Sequence, residues 1–476
     1  MVVAVTASAS VAHGLRTYST PNTRPLATAL SDPALFSSSQ SETAFARSRA
    51  AGATYVRITA NWRAIAPAAP SSDFDPTDPT SPGYSWAGLD AFVEQAEAAG
   101  LTPMLNIHST PTWAYDNQPQ GVNAGSPQTS ALGAFAKALA THYDGLTEGV
   151  PAVKLYEIWN EPNLSLDLDP ASGAVYRALV NAAADAVHEV DPTNLVIAGE
   201  LDPFGHPKGK KQKWYSSFPL AFMRSMLCVS KGKHPHATCH ERAHFDVWSH
   251  HPYTFGGGFG KATNHDNVSL GDLPRMRSLL KAAVRLRHVI SSRSVQFWVT
   301  EFGWDTNPPR RGAASLSLAS RWTAESMYQA WRSGISLFTW YSLEDVAGPG
   351  PYKSGLYFHA SSLERARAKP VRTAFRFPFV AYLRRSTVAV WGRDATSDKE
   401  RVGIQLRHGK RGRWRTIAYV VANSHGIYRA TLKLKASRKD WLRATARGSG
   451  KSLAFSLTVP HAPHIGAWGG VPPPGR

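Results

Sequence analysis

Two glutamates stand in surroundings that suit them to acid–base and nucleophilic work. The stretch Tyr156-Glu157-Ile158-Trp159-Asn160-Glu161-Pro162-Asn163 climbs through β-prone residues and halts at Pro162, which cannot donate to a central sheet ladder. Glu161 is therefore expected at the carboxyl end of a strand. Val295-Gln296-Phe297-Trp298-Val299-Thr300 delivers Glu301 to its tip in the same way, ahead of Phe302-Gly303-Trp304. Glycosidic bond cleavage needs this pair of groups: one carboxylic acid to protonate the leaving oxygen, one carboxylate to attack or assist from the opposite face. A lone strand-end glutamate is as easily a salt-bridge partner. Two at matching tips, each among tryptophans, favour chemistry.

Other side chains are weaker candidates. Glu157 shares a face with Glu161 by period-two alternation and is expected to line a barrel interior. His108 ends a predicted strand, where it binds a sugar hydroxyl or serves as a hydrogen-bonded core histidine. Glu200 ends another, and Trp62, Trp113 and Trp304 flank the expected mouth as subsite candidates. A metal-dependent hydrolase needs histidines and carboxylates that converge, and His108, His250 and His251 supply no recognised ligand pattern. Paired carboxylates need no cofactor.

The elements that must position these residues alternate between strand and helix. Strand-like runs fall at 26–30, 54–59, 101–107, 152–158, 194–198, 245–249, 296–300 and 335–341. Between them lie amphipathic segments, such as the stripe of Tyr176, Leu179, Val180, Ala183 and Val187 ahead of Asp191-Pro192. A last helix is expected over 369–382. Eight such repeats over residues 25–383 predict a (β/α)8 TIM barrel, whose carboxyl-end face carries the chemistry. Glu161 and Glu301 then close the fourth and seventh strands, on opposite sides of the mouth.

Beyond the barrel the texture changes. Residues 384–460 hold short alternating runs separated by Gly, Ser, Asn and basic turns, which predict a small antiparallel β-sandwich. Residues 1–24 read as a truncated signal-like segment and polar lead-in, and 461–476 as a disordered Pro/Gly-rich tail. Residues 361–476 carry 24 Lys+Arg against 5 Asp+Glu, while the first 360 residues carry 29 of each, so the formal charge of +19 belongs to the C-terminal quarter. Such a module favours an anionic partner, or is only a solvated basic surface. No run reaches the ~18–20 apolar residues a membrane span needs. Cys228 and Cys239 bracket a polar loop and are expected to pair in a secreted protein. Nearby His234, His236 and His240 raise a metal alternative, but their spacing matches no standard zinc pattern.

Trp159-Asn160-Glu161-Pro162 with Thr300-Glu301-Phe302-Gly303, in that order, resembles the motif pair of the clan A retaining glycoside hydrolases, near families 5 and 39. The resemblance spans roughly residues 26–382. It implies that Glu161 is the general acid/base and Glu301 the nucleophile. It also implies substrate-binding roles: Asn160 bonds the sugar 2-hydroxyl, His251 and Tyr253 contact substrate from the sixth-strand element in which the tyrosine orients the nucleophile, Arg57 lies beside the nucleophile, and Trp340 lies beneath the sugar. Retaining geometry places the two carboxyls about 5 to 5.5 Å apart. The expectation is a secreted, monomeric retaining enzyme that cuts β-glycosidic bonds of an oligo- or polysaccharide. An anionic cell-wall polymer is the expected partner of the basic sandwich, and nucleic acid is not. Two rivals are a catalytically silent carbohydrate- or wall-binding protein that keeps the fold, and a polyanion-binding adhesin that uses the barrel as scaffold.

Overall fold

The computed structural model describes residues 15–209, 213–395, 399–460 and 465–467. The signal-like start at 1–12 and most of the tail expected at 461–476 lie outside them. The chain forms two compact units, one of residues 24–378 with 461–476, the other of residues 379–460 with the first 23.

In the larger unit, β1 (Ala27–Ser31), β2 (Tyr55–Asn61), β3 (Thr102–His108), β4 (Leu155–Ile158), β5 (Leu195–Leu201), β6 (Val247–His250), β7 (Gln296–Val299) and β8 (Leu337–Tyr341) form a closed barrel in chain order. Neighbouring strands are parallel, and β8 closes on β1 in a register that sets Leu337 beside Ala27 and Tyr341 beside Ser31. Ala29, Met104, Leu155, Ile197, Val247, Trp298 and Leu337, from seven of the strands, fill the lower barrel. Bulky side chains there leave no bore, so the open end is left for chemistry. Helix Gly173–Val190 shows how the outer layer is held: Tyr176, Leu179, Val180, Ala183 and Val187 recur every three or four residues and are all buried. The fifth strand runs on to Leu201, three residues beyond its predicted end, and so carries Glu200 as a strand residue.

The final helix is shorter than expected. It spans Pro370–Arg376, and Phe377 has left helical geometry ahead of Pro378, whose ring disfavours a helical residue before it. The alternating run that follows is β9 (Phe379–Arg384), a strand of the second unit. With β10 (Thr387–Arg393), β11 (Arg401–Arg407), β12 (Arg415–Val421), β13 (Ile427–Lys433) and β14 (Trp441–Ala446) it completes the sandwich. One sheet runs β9-β10-β13; the other centres on β12-β11-β14. Val402, Ile404, Leu406, Leu442 and Ala444 alternate inward and are buried. The lead-in contributes Thr17–Ser19 as a short strand parallel to β12, the one parallel pairing of this unit among the described residues.

Cys228 and Cys239 are joined by a disulfide with Cα atoms 5.2 Å apart, just past helix Pro219–Leu227. Both sulfurs are thereby used, so neither is a thiolate ligand for the neighbouring histidines. Among the described residues, no helix is long and apolar enough to cross a membrane.

Candidate active site

At the carboxyl-end opening the barrel interior becomes charged. Arg57, pointing inward from β2, donates through Nε to Glu157 of β4 and through Nη2 to Asn160 Oδ1 at 3.1 Å. Its guanidinium also lies 3.5 Å from Glu200 of β5 and 3.6 Å from Glu301. Glu200 accepts from the hydroxyls of Ser249 and Thr300, the latter at 2.8 Å, and lies 3.2 Å from His251 Nε2. All these side chains except Asn160 and Glu301 are buried, so each charge depends on its neighbours rather than on water.

Above this floor stand the two glutamates. The backbone leaves strand geometry after Ile158: Trp159 has φ 75° and Glu161 φ 38°, a left-handed region costly for side chains other than glycine. Hydrogen bonds hold the turn, from Trp159 N to Ile107 O at 3.0 Å, from Glu161 N to Glu200 O at 3.1 Å and from Trp159 Nε1 to Asp167 O at 2.9 Å. Asn163 then ties the loop to β5 by donating to Asp202 O and accepting from Asp202 N. The turn breaks alternation, so Asn160 and Glu161 both face the cavity. Glu161 Oε1 is 3.0 Å from His251 Nδ1. Glu301 accepts from the Tyr253 hydroxyl at 2.6 Å and faces Arg57.

These groups converge on a cavity of about 610 Å³ lined by Arg57, His108, Asn160, Glu161, Tyr253 and Glu301. His108, half-buried, lies at its wall 3.5 Å from Asp167. Two expected contacts with substrate are corrected. Trp340 is fully buried: it donates to Ser354 O at 2.8 Å and packs on Phe302 and Phe375, while the next residue, Tyr341, reaches the cavity. Strand alternation gives this result, since only one of two successive residues can face inward. His251 is buried too: it touches Glu161, which lines the cavity, and Glu200, which lies beneath it. Trp62 and Trp304 are likewise core residues, not subsite walls. Trp113 is half-buried, with Nε1 bonded to Pro67 O.

Sequence reasoning missed part of the lining. Tyr352, Asp202 and Ala467 border the cavity. Residues 465–467, within the expected tail, return to the barrel: Gly256 donates to Ile465 O, Ala467 N to Thr254 O, and Asp305 N to Ala467 O. A small residue in a Pro/Gly-rich tail gives no signal of such docking.

The electrostatics separate the carboxyls. Burial raises Glu161 to about 8; the His251 hydrogen bond opposes the rise, while Asp202 and Glu301 add to it. For His251, burial pulls downward but is outweighed by Glu301, Glu161 and Glu200, which lift it to about 10. Burial likewise opposes charge on Glu200, yet hydrogen bonds with Glu157 and His251 and the charge of Arg57 bring it down to about 2. Burial holds Glu157 well above the ordinary carboxyl range despite Arg57. In this coupled pair Glu157 keeps the proton and Glu200 the charge.

Known proteins share this fold. The family model for Cellulase (glycosyl hydrolase family 5) matches residues 12–342. No curated protein matches the chain in sequence. Among solved structures, the family 39 enzyme from Xanthomonas axonopodis pv. citri aligns with TM-score 0.52 at 14% identity, covering 91% of this chain and 98% of that one. A monomeric beta-xylosidase from Caulobacter crescentus CB15 aligns with TM-score 0.51 at 14% identity over 90% and 98% of the two chains. A family 39 glycoside hydrolase from Bacteroides cellulosilyticus WH2 gives TM-score 0.51 at 16% identity over 89% and 81%. At these identities the structures speak to the fold; the family match speaks to the chemistry. With a closed barrel, a carboxyl-lined cavity and a family model covering most of its length, this chain is a glycoside hydrolase and belongs to the cellulase family, glycosyl hydrolase family 5.

Proposed function

We propose that the enzyme cleaves β-glycosidic bonds of an oligo- or polysaccharide with retention, using Glu161 as general acid/base and Glu301 as nucleophile. One observation carries this reading: the two carboxyls face the same cavity, Glu161 held by His251 and Glu301 by Tyr253 and Arg57. Glu161, raised to about 8, holds a proton in neutral solution. His251 Nδ1–H occupies its Oε1, which leaves Oε2 to carry the proton toward the leaving oxygen. Glu301 has a hydroxyl donor and a guanidinium beside it, contacts suited to a carboxylate that attacks.

In the first step Glu301 bonds to the anomeric carbon as the glycosidic C–O bond breaks, and Glu161 gives its proton to the departing oxygen. The glycosyl ester removes the negative charge of Glu301, which had helped to raise Glu161. Glu161, now the stronger acid and ionised, takes a proton from water as that water attacks the anomeric carbon, and Glu301 leaves as carboxylate. Asn160, fixed by Arg57, presents its amide beside both groups and suits the sugar 2-hydroxyl.

The disulfide further supports action outside the cell, where such bonds persist. Trapping with 2-fluoro glycosides tests the mechanism: the adduct is expected on Glu301, and attachment elsewhere would overturn the assignment. A panel of β-glucans, xylans and mannans with product analysis identifies the sugar and the cleavage mode.

A further inference from the structure

The second unit holds 18 Lys+Arg and 4 Asp+Glu over residues 379–460, and part of that excess is ordered on one sheet face. While β11 and β14 turn Ile404, Leu406, Leu442 and Ala444 inward, Arg407, Gln405, Trp441 and Arg443 alternate to the other side. The register sets Arg407 opposite Trp441 and Gln405 opposite Arg443. Arg443 lies 4.3 Å and Arg407 4.7 Å from the ring centre of Trp414, so two guanidiniums share one indole. Arg407 also approaches Trp441 at 5.5 Å, and Arg401 lies over Tyr419 at 3.6 Å. Gln405 accepts from Arg443 Nε at 2.8 Å.

The arrangement lacks its counter-charge. Among the described residues no carboxylate pairs with Arg401, Arg407 or Arg443, and Arg407 Nε is shielded from solvent without an acceptor. Burial and then the adjacent charge of Arg407 both lower the pKa of Arg443, the mark of like charges held together. Stacking fixes these guanidiniums before any ligand arrives, which reduces the ordering cost of binding. An anion between them would relieve the repulsion and satisfy the donors.

We propose that this arginine–aromatic face, built from Arg401, Gln405, Arg407, Trp414, Trp441 and Arg443, binds a carboxylate-bearing polysaccharide. The guanidinium fork matches a carboxylate in paired hydrogen bonds, and Gln405, bonded to Arg443 Nε and to Thr416 Oγ1 at 3.4 Å, holds the Arg443 fork in place. Single-stranded nucleic acid needs bare aromatic faces for its bases, whereas here Trp414 is already covered by guanidiniums. The site is independent of the reaction assigned to the barrel.

Affinity electrophoresis of the full chain through gels containing polygalacturonate tests this. The wild type is expected to be retarded, with retardation fading as salt rises. Arg407→Gln/Arg443→Gln should bind roughly tenfold or more weakly. Lys433→Gln/Lys435→Gln removes the same charge from exposed positions on or beside β13 and should stay within about twofold of wild type. Arg407→Lys/Arg443→Lys keeps the charge but loses the planar fork, and should fall between the two; its thermal unfolding separates lost binding from lost folding. An unretarded wild type, equal weakening by both glutamine pairs, or tighter binding of DNA than of polygalacturonate would each overturn the proposal.

Discussion

Arg57 in the barrel and Arg407 on the sheet face handle positive charge in opposite ways. Arg57 is buried among Glu157, Glu200 and Glu301, with Asn160 taking a further N–H. Arg407 shares an aromatic ring with Arg443 and meets no carboxylate among the described residues. In the first region the protein supplies the counter-charges and sets which carboxyl keeps a proton. In the second the counter-charge is left to come from outside. A balanced buried network can hold acid and nucleophile in distinct states, whereas an unbalanced exposed one changes association and its salt dependence.

The largest expected effects break the first region at the reacting groups. Glu301→Gln should reduce kcat by roughly 10⁴-fold or more, because no carboxylate remains to form the glycosyl ester. Glu161→Ala should cost about 10²- to 10⁴-fold on substrates with poor leaving groups and far less on activated aryl glycosides. Added azide should restore aryl glycoside turnover in Glu161→Ala and yield a glycosyl azide of retained configuration. Rates unaffected by azide would count against the acid/base role.

Removing Arg57 tests the balance itself. Arg57→Ala leaves Glu157 and Glu200 without their shared cation in a buried site, and should destabilise the barrel by about 3–5 kcal/mol in urea denaturation. A loss below about 1 kcal/mol would mean that water or proton uptake compensates, and that the floor is less tightly organised than its contacts indicate.

The pH profile sharpens the same point. As the acid, Glu161 must carry its proton, so kcat/KM should fall as pH rises through about 8. His251 lowers the Glu161 pKa and Asp202 raises it. His251→Asn should therefore move the alkaline limb to higher pH, and Asp202→Asn to lower pH. Limbs that stay together in both variants would assign the titration to another group.

The two glutamates were legible because they sit where strands end. Glu161 and Glu301 could each be placed by a β-prone run and its terminator, while Asn160, Arg57 and Tyr253 came from the motif resemblance, and all five line one cavity. The motif resemblance set Trp340 beneath the sugar, but the strand turns Trp340 into the core and Tyr341 toward the cavity; apolar residues continue on both faces at this strand end, so the sequence could not show which of the two faces inward. His251 was placed correctly on the sixth strand's continuation, yet its burial depends on Glu161 and Glu200, both distant in sequence. The final helix was overextended because Phe379–Arg384 is apolar enough for either state, and only the pairing with β10 decides for strand. Thr17–Ser19 is too short to carry a period, and Ala467 has no side chain to announce a contact. The basic count of the second unit was plain, but the stacking that orders Arg407 and Arg443 comes from strand register.

The smallest expected effect is the stability change on removing a sheet-face arginine. A cation over a half-buried ring at the surface contributes about 0.5–1 kcal/mol, which Arg407→Gln would lose from Trp414 and Trp441. The same change relieves Arg443 of its nearest like charge, a gain of opposite sign. The two should nearly cancel, leaving denaturation within about 0.5 kcal/mol of wild type, the range of most surface substitutions. Salt makes the cancellation visible: at low ionic strength the relief of repulsion is stronger, so Arg407→Gln should be relatively more stable there than at high salt. A loss of several kcal/mol, insensitive to salt, would place Arg407 with Arg57 as a structural cation whose partner is the protein itself.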